Sequence, residues 1–179
     1  MNLMALAPLW LIVLLCATLV AAAIEDTIRL RISNLIVLAV VVEALVAMFV
    51  HGLTFAIWEN FALFIGFLVI GTALFSAKML GGGDVKLLAA LGLWVDLGHA
   101  PFLIASVFIA GGLLALLMLS SRLLFRRSDG ATLRERSGRI PYAVAIAAGS
   151  LFLVALQQVP AKQPNPLEIH PLRELPPTH

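Results

Sequence analysis

The chain has 179 residues, of which 61% are hydrophobic and 12% are charged, and its formal net charge is +2. A soluble domain is usually about 45–50% apolar and about 25% charged, so this composition excludes an ordinary soluble protein and predicts an integral membrane protein. The single cysteine, Cys16, excludes an intrachain disulfide and a multi-cysteine zinc site. We expect no metal and no other cofactor.

Six apolar segments predict an all-α polytopic membrane protein, a bundle of six transmembrane helices. Their approximate bounds are 6–24, 32–50, 61–77, 84–97, 102–124 and 140–157. A helix needs about 20 apolar residues to cross the bilayer core. Segment four is shorter, and we expect local thinning of the bilayer or burial inside the bundle to compensate. Segment one lacks a basic n-region, which favours a retained helix over a cleaved signal peptide.

The basic residues predict the orientation of the bundle. Ten of the twelve lie in the gaps after segments one, three and five or within two or three residues of their edges, and the gaps after segments two and four hold none. Because positive loops stay in the cytoplasm, we expect these three gaps inside and both chain ends outside. Six of the nine prolines fall in residues 160–179, so we expect a membrane domain over residues 1–158 and a disordered tail over residues 159–179.

Two aspartates are the main candidates for chemistry. Asp26 follows segment one and Asp84 opens segment four, so the orientation above places both at the cytoplasmic end of their helices. If segments one and four are neighbours, the two carboxyls can share one proton. The ionised one can then deprotonate water while the protonated one polarises a peptide carbonyl, as in aspartic proteases. Alternatively, Asp84 is an ordinary helix cap and Asp26 a solvated acid.

Three glycines precede Asp84. Gly81, Gly82 and Gly83 lack side chains, so an extended substrate backbone could lie against them. We also expect them to supply the unusual torsions that turn segment three into segment four.

These residues resemble a known family. The run from Gly81 to Asp84 is similar to the GxGD motif of intramembrane aspartyl proteases, and with Val-Lys-Leu-Leu-Ala-Ala after it resembles the type IV prepilin peptidase version. Asp26-Thr-Ile-Arg-Leu-Arg-Ile-Ser-Asn resembles that family's first aspartate block, D-x5-I-P-N. The run that starts Ile140-Pro141-Tyr142 resembles the opening of its last helix.

The resemblance implies that Asp26 and Asp84 form a catalytic dyad that removes the leader peptide from prepilins in the bacterial inner membrane. The small size and the absence of a cysteine-rich domain resemble the short class that serves Flp/Tad-type pili, without N-methyltransferase activity. Ser33 departs from the family pattern, in which proline precedes Asn34. We expect this serine to loosen the start of the second helix.

Three other charged residues need an interpretation. Glu43 lies in the middle of segment two, and we expect it to face the bundle and bond a polar group such as Thr72 or Ser106 rather than to act in catalysis. Lys86 is expected to anchor the chain at the interface. Glu25 adjoins Asp26, but adjacent helical positions point about 100° apart, and the spacing of the family motif selects Asp26.

The remaining polar residues do not suggest a second activity. The arginine-rich loop, residues 122–139, is interpreted as a positive-inside anchor rather than a nucleic-acid site, since it holds one aromatic residue. The histidines show no metal-binding spacing. The expected partners are therefore a membrane-embedded prepilin and the lipid bilayer, with no prediction for the oligomeric state.

Two alternatives to the prepilin peptidase stay open at this point. The first is a transporter or membrane scaffold in which Asp84 caps a helix or carries protons. It needs one acid, whereas a protease needs both Asp26 and Asp84 near one water molecule. The second is a presenilin-like or signal-peptide-peptidase-like protease, which the D-x5-I-x-N block disfavours.

Overall fold

The protein is described by a computed structural model over residues 1–52, 54–125 and 142–158, with the side chains of residues 121–125 excepted. The described part is all-helical, as predicted. Its seven helices are α1 (Leu3–Leu6), α2 (Leu9–Arg29), α3 (Asn34–His51), α4 (Ile57–Ser76), α5 (Gly82–Gly92), α6 (Ala100–Phe125) and α7 (Tyr142–Gln158). The predictions for the basic loop and for the proline-rich tail fall almost wholly outside the described residues.

Each predicted segment forms a helix, but the prediction of six spans is met only in part. Within the described ranges, four helices are long and apolar enough to cross a membrane, namely α2, α3, α4 and α6. Helix α7 is a shorter apolar helix. Helix α5 has 11 residues, and at 1.5 Å per residue it covers about 16 Å, well short of the hydrocarbon thickness.

The short helix α5 is compensated by burial inside the bundle. It packs against α3, α4 and α7, and Leu87, Ala89, Ala90 and Leu91 along it are fully buried. The bundle therefore supplies an apolar environment to a helix that does not cross the membrane by itself.

Helix α1 closes the end of the bundle where α5 stops, and the sequence analysis did not predict it. The backbone N–H of Met4 donates to the carbonyl of Trp94, just after α5, at 3.2 Å. The side-chain amide of Gln158 in α7 donates to the carbonyl of Met4 at 2.9 Å. Pro8 occupies the N-cap of α2 and separates α1 from the long apolar run that follows.

A fully buried amide ties the chain together at that same end. Asn60 Nδ2 lies 2.8 Å from the carbonyls of Met1 and Leu93 and 2.9 Å from that of Val95. Its Oδ1 accepts from the Met1 amino group at 3.2 Å. A buried amide needs such partners, so Asn60 fixes α4 to the turn that follows α5.

Small residues allow α6 and α7 to approach closely. A Cβ added at Gly149 would lie 2.6 Å from the backbone nitrogen of Val107, so only glycine fits there. Ala143, Ala145 and Ala147 on α7 are also buried, and with Gly149 they have the small-xxx-small spacing that lets helix backbones approach closely. Gly66 on α4 differs, because a Cβ added there would meet open space.

Candidate active site

Asp26 lies in the last turn of α2 and faces the interior of the bundle. The residue is 6% exposed, and its Oδ2 accepts a hydrogen bond from the backbone N–H of Ala143 at 3.1 Å. Ala143 is the second residue of α7, and the first N–H groups of a helix have no partner within it. The N-terminus of α7 therefore supplies a donor to a carboxyl on α2.

Glu25, the neighbouring acid, points elsewhere. Its Oε1 accepts from Arg29 at 3.3 Å and its Oε2 accepts from the backbone N–H of Ser33 at 3.0 Å. The residue is half-buried, whereas Asp26 is buried. This confirms the expectation that only one of the two adjacent acids faces the bundle, and that it is Asp26.

Asp84 is the third residue of α5 and turns back towards the start of its own helix. Gly81 occupies the N-cap, and Asp84 Oδ2 lies so close to it that a Cβ added at Gly81 would be 2.6 Å from that oxygen. An acid at this position commonly reaches back to the N-cap in this way. Asp84 is 8% exposed, and its buried Oδ1 has no hydrogen-bond partner among the described residues. That oxygen is available to a proton or to a bound molecule.

Burial and the charge of Asp26 together raise the pKa of Asp84 to about 7, with burial the larger cause. The nearby backbone N–H of Gly81 lowers the pKa and opposes the shift in part. An effect of Asp26 on Asp84 requires both carboxyls to lie at the same end of the bundle. The structure thus places the two predicted residues near enough for the charge of Asp26 to act on Asp84.

The helices that carry the aspartates do not pack mainly on each other. Helix α2 packs mostly on α3 and α7, and α5 packs on α3, α4 and α7. Helices α3 and α7 contact both. The start of α7 bonds Asp26 through Ala143, and the start of α3 bonds α5 through Asn34 and Lys86.

The three glycines are explained by close packing rather than by unusual torsions. None of them has a positive φ, and the left-handed residue in this turn is Lys78, with φ 59°; the torsion expectation was wrong. A Cβ at Gly81 would lie 2.6 Å from Asp84 Oδ2, and one at Gly83 would lie 3.0 Å from Cβ of Ile32. A Cβ at Gly82 would touch the Phe75 ring at 3.4 Å. Their contact with a substrate stays a prediction.

The residues at the start of α3 also differ from expectation. Ser33 does not loosen this helix, because its side chain caps it by accepting from the Leu35 N–H at 3.0 Å. Lys86, expected to be an interface anchor, donates from Nζ to Asn34 Oδ1 at 3.0 Å. The Ser33 cap is a local contact, whereas the Lys86–Asn34 bond joins α5 to α3 and no local pattern in the sequence indicates it.

Glu43 is buried in the bundle as expected, but its partner was wrongly predicted. Its Oε1 accepts from the Thr18 hydroxyl on α2 at 2.7 Å. Thr72 and Ser106 instead donate to carbonyls of their own helices. Across the described ranges, no three His, Cys, Asp or Glu residues lie together as they would around a metal ion.

Comparison with known proteins identifies a family for this chain. The model of the type IV leader peptidase family matches residues 13–116, which include both aspartates, the three glycines and more than half of the chain. No curated protein and no solved structure matches the chain significantly. On the family match, the protein belongs to the type IV leader peptidase family.

Proposed function

We propose that this protein is an intramembrane aspartyl endopeptidase that removes the leader peptide from prepilins of the Flp/Tad type, with Asp26 and Asp84 as its catalytic dyad. The observation that carries the proposal is the burial of two carboxyls, 58 residues apart in the sequence, near enough for the charge of Asp26 to raise the pKa of Asp84. Buried acids inside a membrane bundle are costly and are functional candidates by default. Family membership supplies the reaction class.

The geometry assigns different roles to the two acids. Asp84, with a pKa of about 7, holds the shared proton and donates it to the scissile carbonyl oxygen from Oδ1, which has no hydrogen-bond partner among the described residues. Asp26, oriented by the Ala143 N–H, takes a proton from the attacking water. Collapse of the resulting gem-diol returns the proton from Asp26 to the leaving amine and restores the proton on Asp84. The cycle needs neither a metal nor a covalent intermediate.

The distribution of charge and apolar surface supports a site at the cytoplasmic face of the inner membrane. The dyad lies beside the gaps after segments one and three, which are two of the basic gaps. Large apolar side chains of α4 and α6, among them Ile65, Val69, Phe108 and Ile109, are exposed and suited to lipid. We infer a bundle of six membrane helices over residues 1–158, with α5 enclosed by the others and α1 filling the level that α5 does not reach.

Leader removal from a co-expressed prepilin tests the proposal. Asp26→Asn and Asp84→Asn should each abolish the mobility shift of the pilin on a gel, because either change leaves the pair unable to act as both base and acid. Asp96→Asn is a matched control, since Asp96 lies beyond the far end of α5 and bonds to His99. Normal processing by either dyad variant would refute the assignment.

A second candidate function rests on the position of Asp84 in the first turn of α5, with its Oδ2 turned back towards the N-cap residue Gly81. In a non-enzymatic scaffold or transporter, Asp84 would serve as a helix cap or as a single proton carrier, and Asp26 would be dispensable. Retention of the cellular phenotype by Asp26→Asn, with loss in Asp84→Asn, would favour that alternative.

A further inference from the structure

Residues 30–34 comprise the connection between α2 and α3 and the first residue of α3. They contact both helices that carry the proposed dyad. We call these five residues the α2–α3 junction. On the α2 side, Glu25 Oε2 accepts the Ser33 N–H at 3.0 Å. Glu25 immediately precedes Asp26, so a bond between Glu25 and the junction restrains the last turn of α2.

On the α5 side, the junction makes two contacts next to Asp84. Asn34 Oδ1 accepts from Lys86 Nζ at 3.0 Å, two residues after the acid. The Cα of Gly83, one residue before it, lies so close to Ile32 that an added Cβ would be 3.0 Å from Cβ and 3.3 Å from N of Ile32. Backbone packing and a side-chain bond therefore hold the start of α5 against the same five residues.

The conformation of the junction is well defined. Leu30 adopts a left-handed conformation, with φ 52° and ψ 35°, and ends α2. Ser33 has φ −65° and ψ 140° and caps α3. A φ of −65° is the value that proline prefers, yet proline has no N–H and could not bond Glu25. At position 33 the backbone shape and the N–H bond can therefore be separated by mutation.

We propose that the α2–α3 junction sets the separation of the two proposed catalytic aspartates, with Glu25 and Lys86 as positioning residues. The expected effect on prepilin cleavage rests on the proposed function. The expected effect on the distance between the two aspartates does not. The net contribution of a single intramolecular hydrogen bond to folding stability is small. The expected effect is therefore on the distance between the α2 and α5 ends, rather than on folding.

The first test measures that distance without using activity. Asp26→Cys and Asp84→Cys are combined in a Cys16→Ala background and treated with bis-thiol-reactive crosslinkers of graded length. Neither position then carries a carboxylate, so the yield reports the scaffold and not charge repulsion. Glu25→Ala, Ser33→Pro and Lys86→Met should each lower the yield with the shortest effective reagent at least twofold and favour longer ones.

Matched variants separate the proposed bonds from other effects. Ser33→Ala keeps the N–H that bonds Glu25 but loses the side-chain cap, so its yield should equal that of the parent. Ser76→Ala removes an exposed hydroxyl that bonds only within α4 and should also have no effect. Lys86→Arg retains a donor of similar length and should restore part of the yield lost in Lys86→Met.

The second test follows prepilin cleavage in the chain with both aspartates intact. Misplacing reacting groups by about 1 Å can cost up to about 100-fold in rate, and we expect Glu25→Ala, Ser33→Pro and Lys86→Met each to lower kcat on the order of 10-fold. KM should change less than twofold. Asn34→Ala combined with Lys86→Met should lower kcat no further than the more damaging of the two single changes. Both substitutions remove the same bond, that between Lys86 and Asn34.

The outcomes discriminate between the two proposals. Unchanged crosslinking yields in Glu25→Ala and Lys86→Met would overturn the positioning role, even if Asp26→Asn and Asp84→Asn are inactive. A loss in Ser33→Ala equal to that in Ser33→Pro would also overturn it, because the N–H bond would then be irrelevant. If Asp26→Asn or Asp84→Asn still cleaves prepilin while the crosslinking yields are as expected, the peptidase assignment is wrong. The role of the junction in setting the distance is then unaffected.

Discussion

The backbone N–H of Ala143 donates to Oδ2 of Asp26 at 3.1 Å, across a sequence separation of 117 residues. This bond joins the start of the last described helix to the end of the first long one. Because donors at a helix N-terminus have no partner within the helix, the bond satisfies Ala143 and orients Asp26 at once. Helix α7 thus contributes to the candidate active site through its backbone.

Ala143→Pro should therefore reduce catalysis, since proline has no N–H and is tolerated in the first turn of a helix. We expect kcat for prepilin cleavage to fall on the order of 10-fold, as for other lost orienting bonds. Ala143→Gly keeps the N–H and serves as the control. Equal rates in the two variants would contradict the orienting role.

Cleavage should also depend on pH in a way set by Asp84. Its pKa of about 7 means that the proton needed to polarise the scissile carbonyl is lost as the pH rises through that value. The rate should therefore fall on the alkaline side of neutrality, with an apparent pKa that belongs to the coupled pair. A rate that stays flat from neutral pH to about pH 9, measured on purified protein with a synthetic prepilin, would contradict this assignment.

The same shift predicts how Asp84 affects stability. Its pKa is raised from 3.8 in the unfolded chain to about 7 in the folded protein, so the folded state binds more protons between these values. Stability linked to this group is fully present below about pH 4 and is lost as the pH rises through about 7. Asp84→Asn does not titrate, so its Tm should exceed that of the wild type more at pH 8 than at pH 5. A constant difference in thermal unfolding would argue against the shift.

Two glycine substitutions should have opposite effects on stability. Gly149→Ala would force a Cβ to within 2.6 Å of the α6 backbone, and such overpacking typically costs about 1–3 kcal/mol. Gly66→Ala on α4 meets nothing within 4 Å and should stabilise the helix by about 0.5–1 kcal/mol. Thermal unfolding of both variants in one detergent tests the close approach of α6 and α7. Equal losses in the two would show that α6 and α7 do not touch at Gly149.

The Thr18–Glu43 bond should matter for stability and not for catalysis. Thr18→Val leaves Glu43 buried without its donor, which typically costs about 1–3 kcal/mol. Glu43→Gln keeps an oxygen that can accept from Thr18 and should be milder. Both variants should cleave prepilin at the wild-type rate when measured well below their Tm. A specific loss of kcat in Glu43→Gln would instead place this acid in the reaction.

The sequence was most informative where signals are local. Hydropathy located the six apolar segments, and each forms a helix whose ends agree within a few residues with those predicted. It did not reveal α1, because Leu3–Leu6 and α2 are equally apolar and only Pro8 separates them. Hydropathy also overestimated the length of α5. The apolar residues beyond Gly92 form a turn rather than a continuation of the helix.

Composition, hydropathy and the spacing of a few motif residues thus determined the membrane class, the helical fold and two acids worth testing. The tertiary structure alone decided their surroundings: Ala143 beside Asp26, Thr18 beside Glu43, and the junction contacts of Glu25 and Lys86. The physical reason lies in the segments themselves. A helix that is apolar all round carries no stripe to mark its buried face, so partners across the bundle are chosen by packing and not by any pattern along the chain.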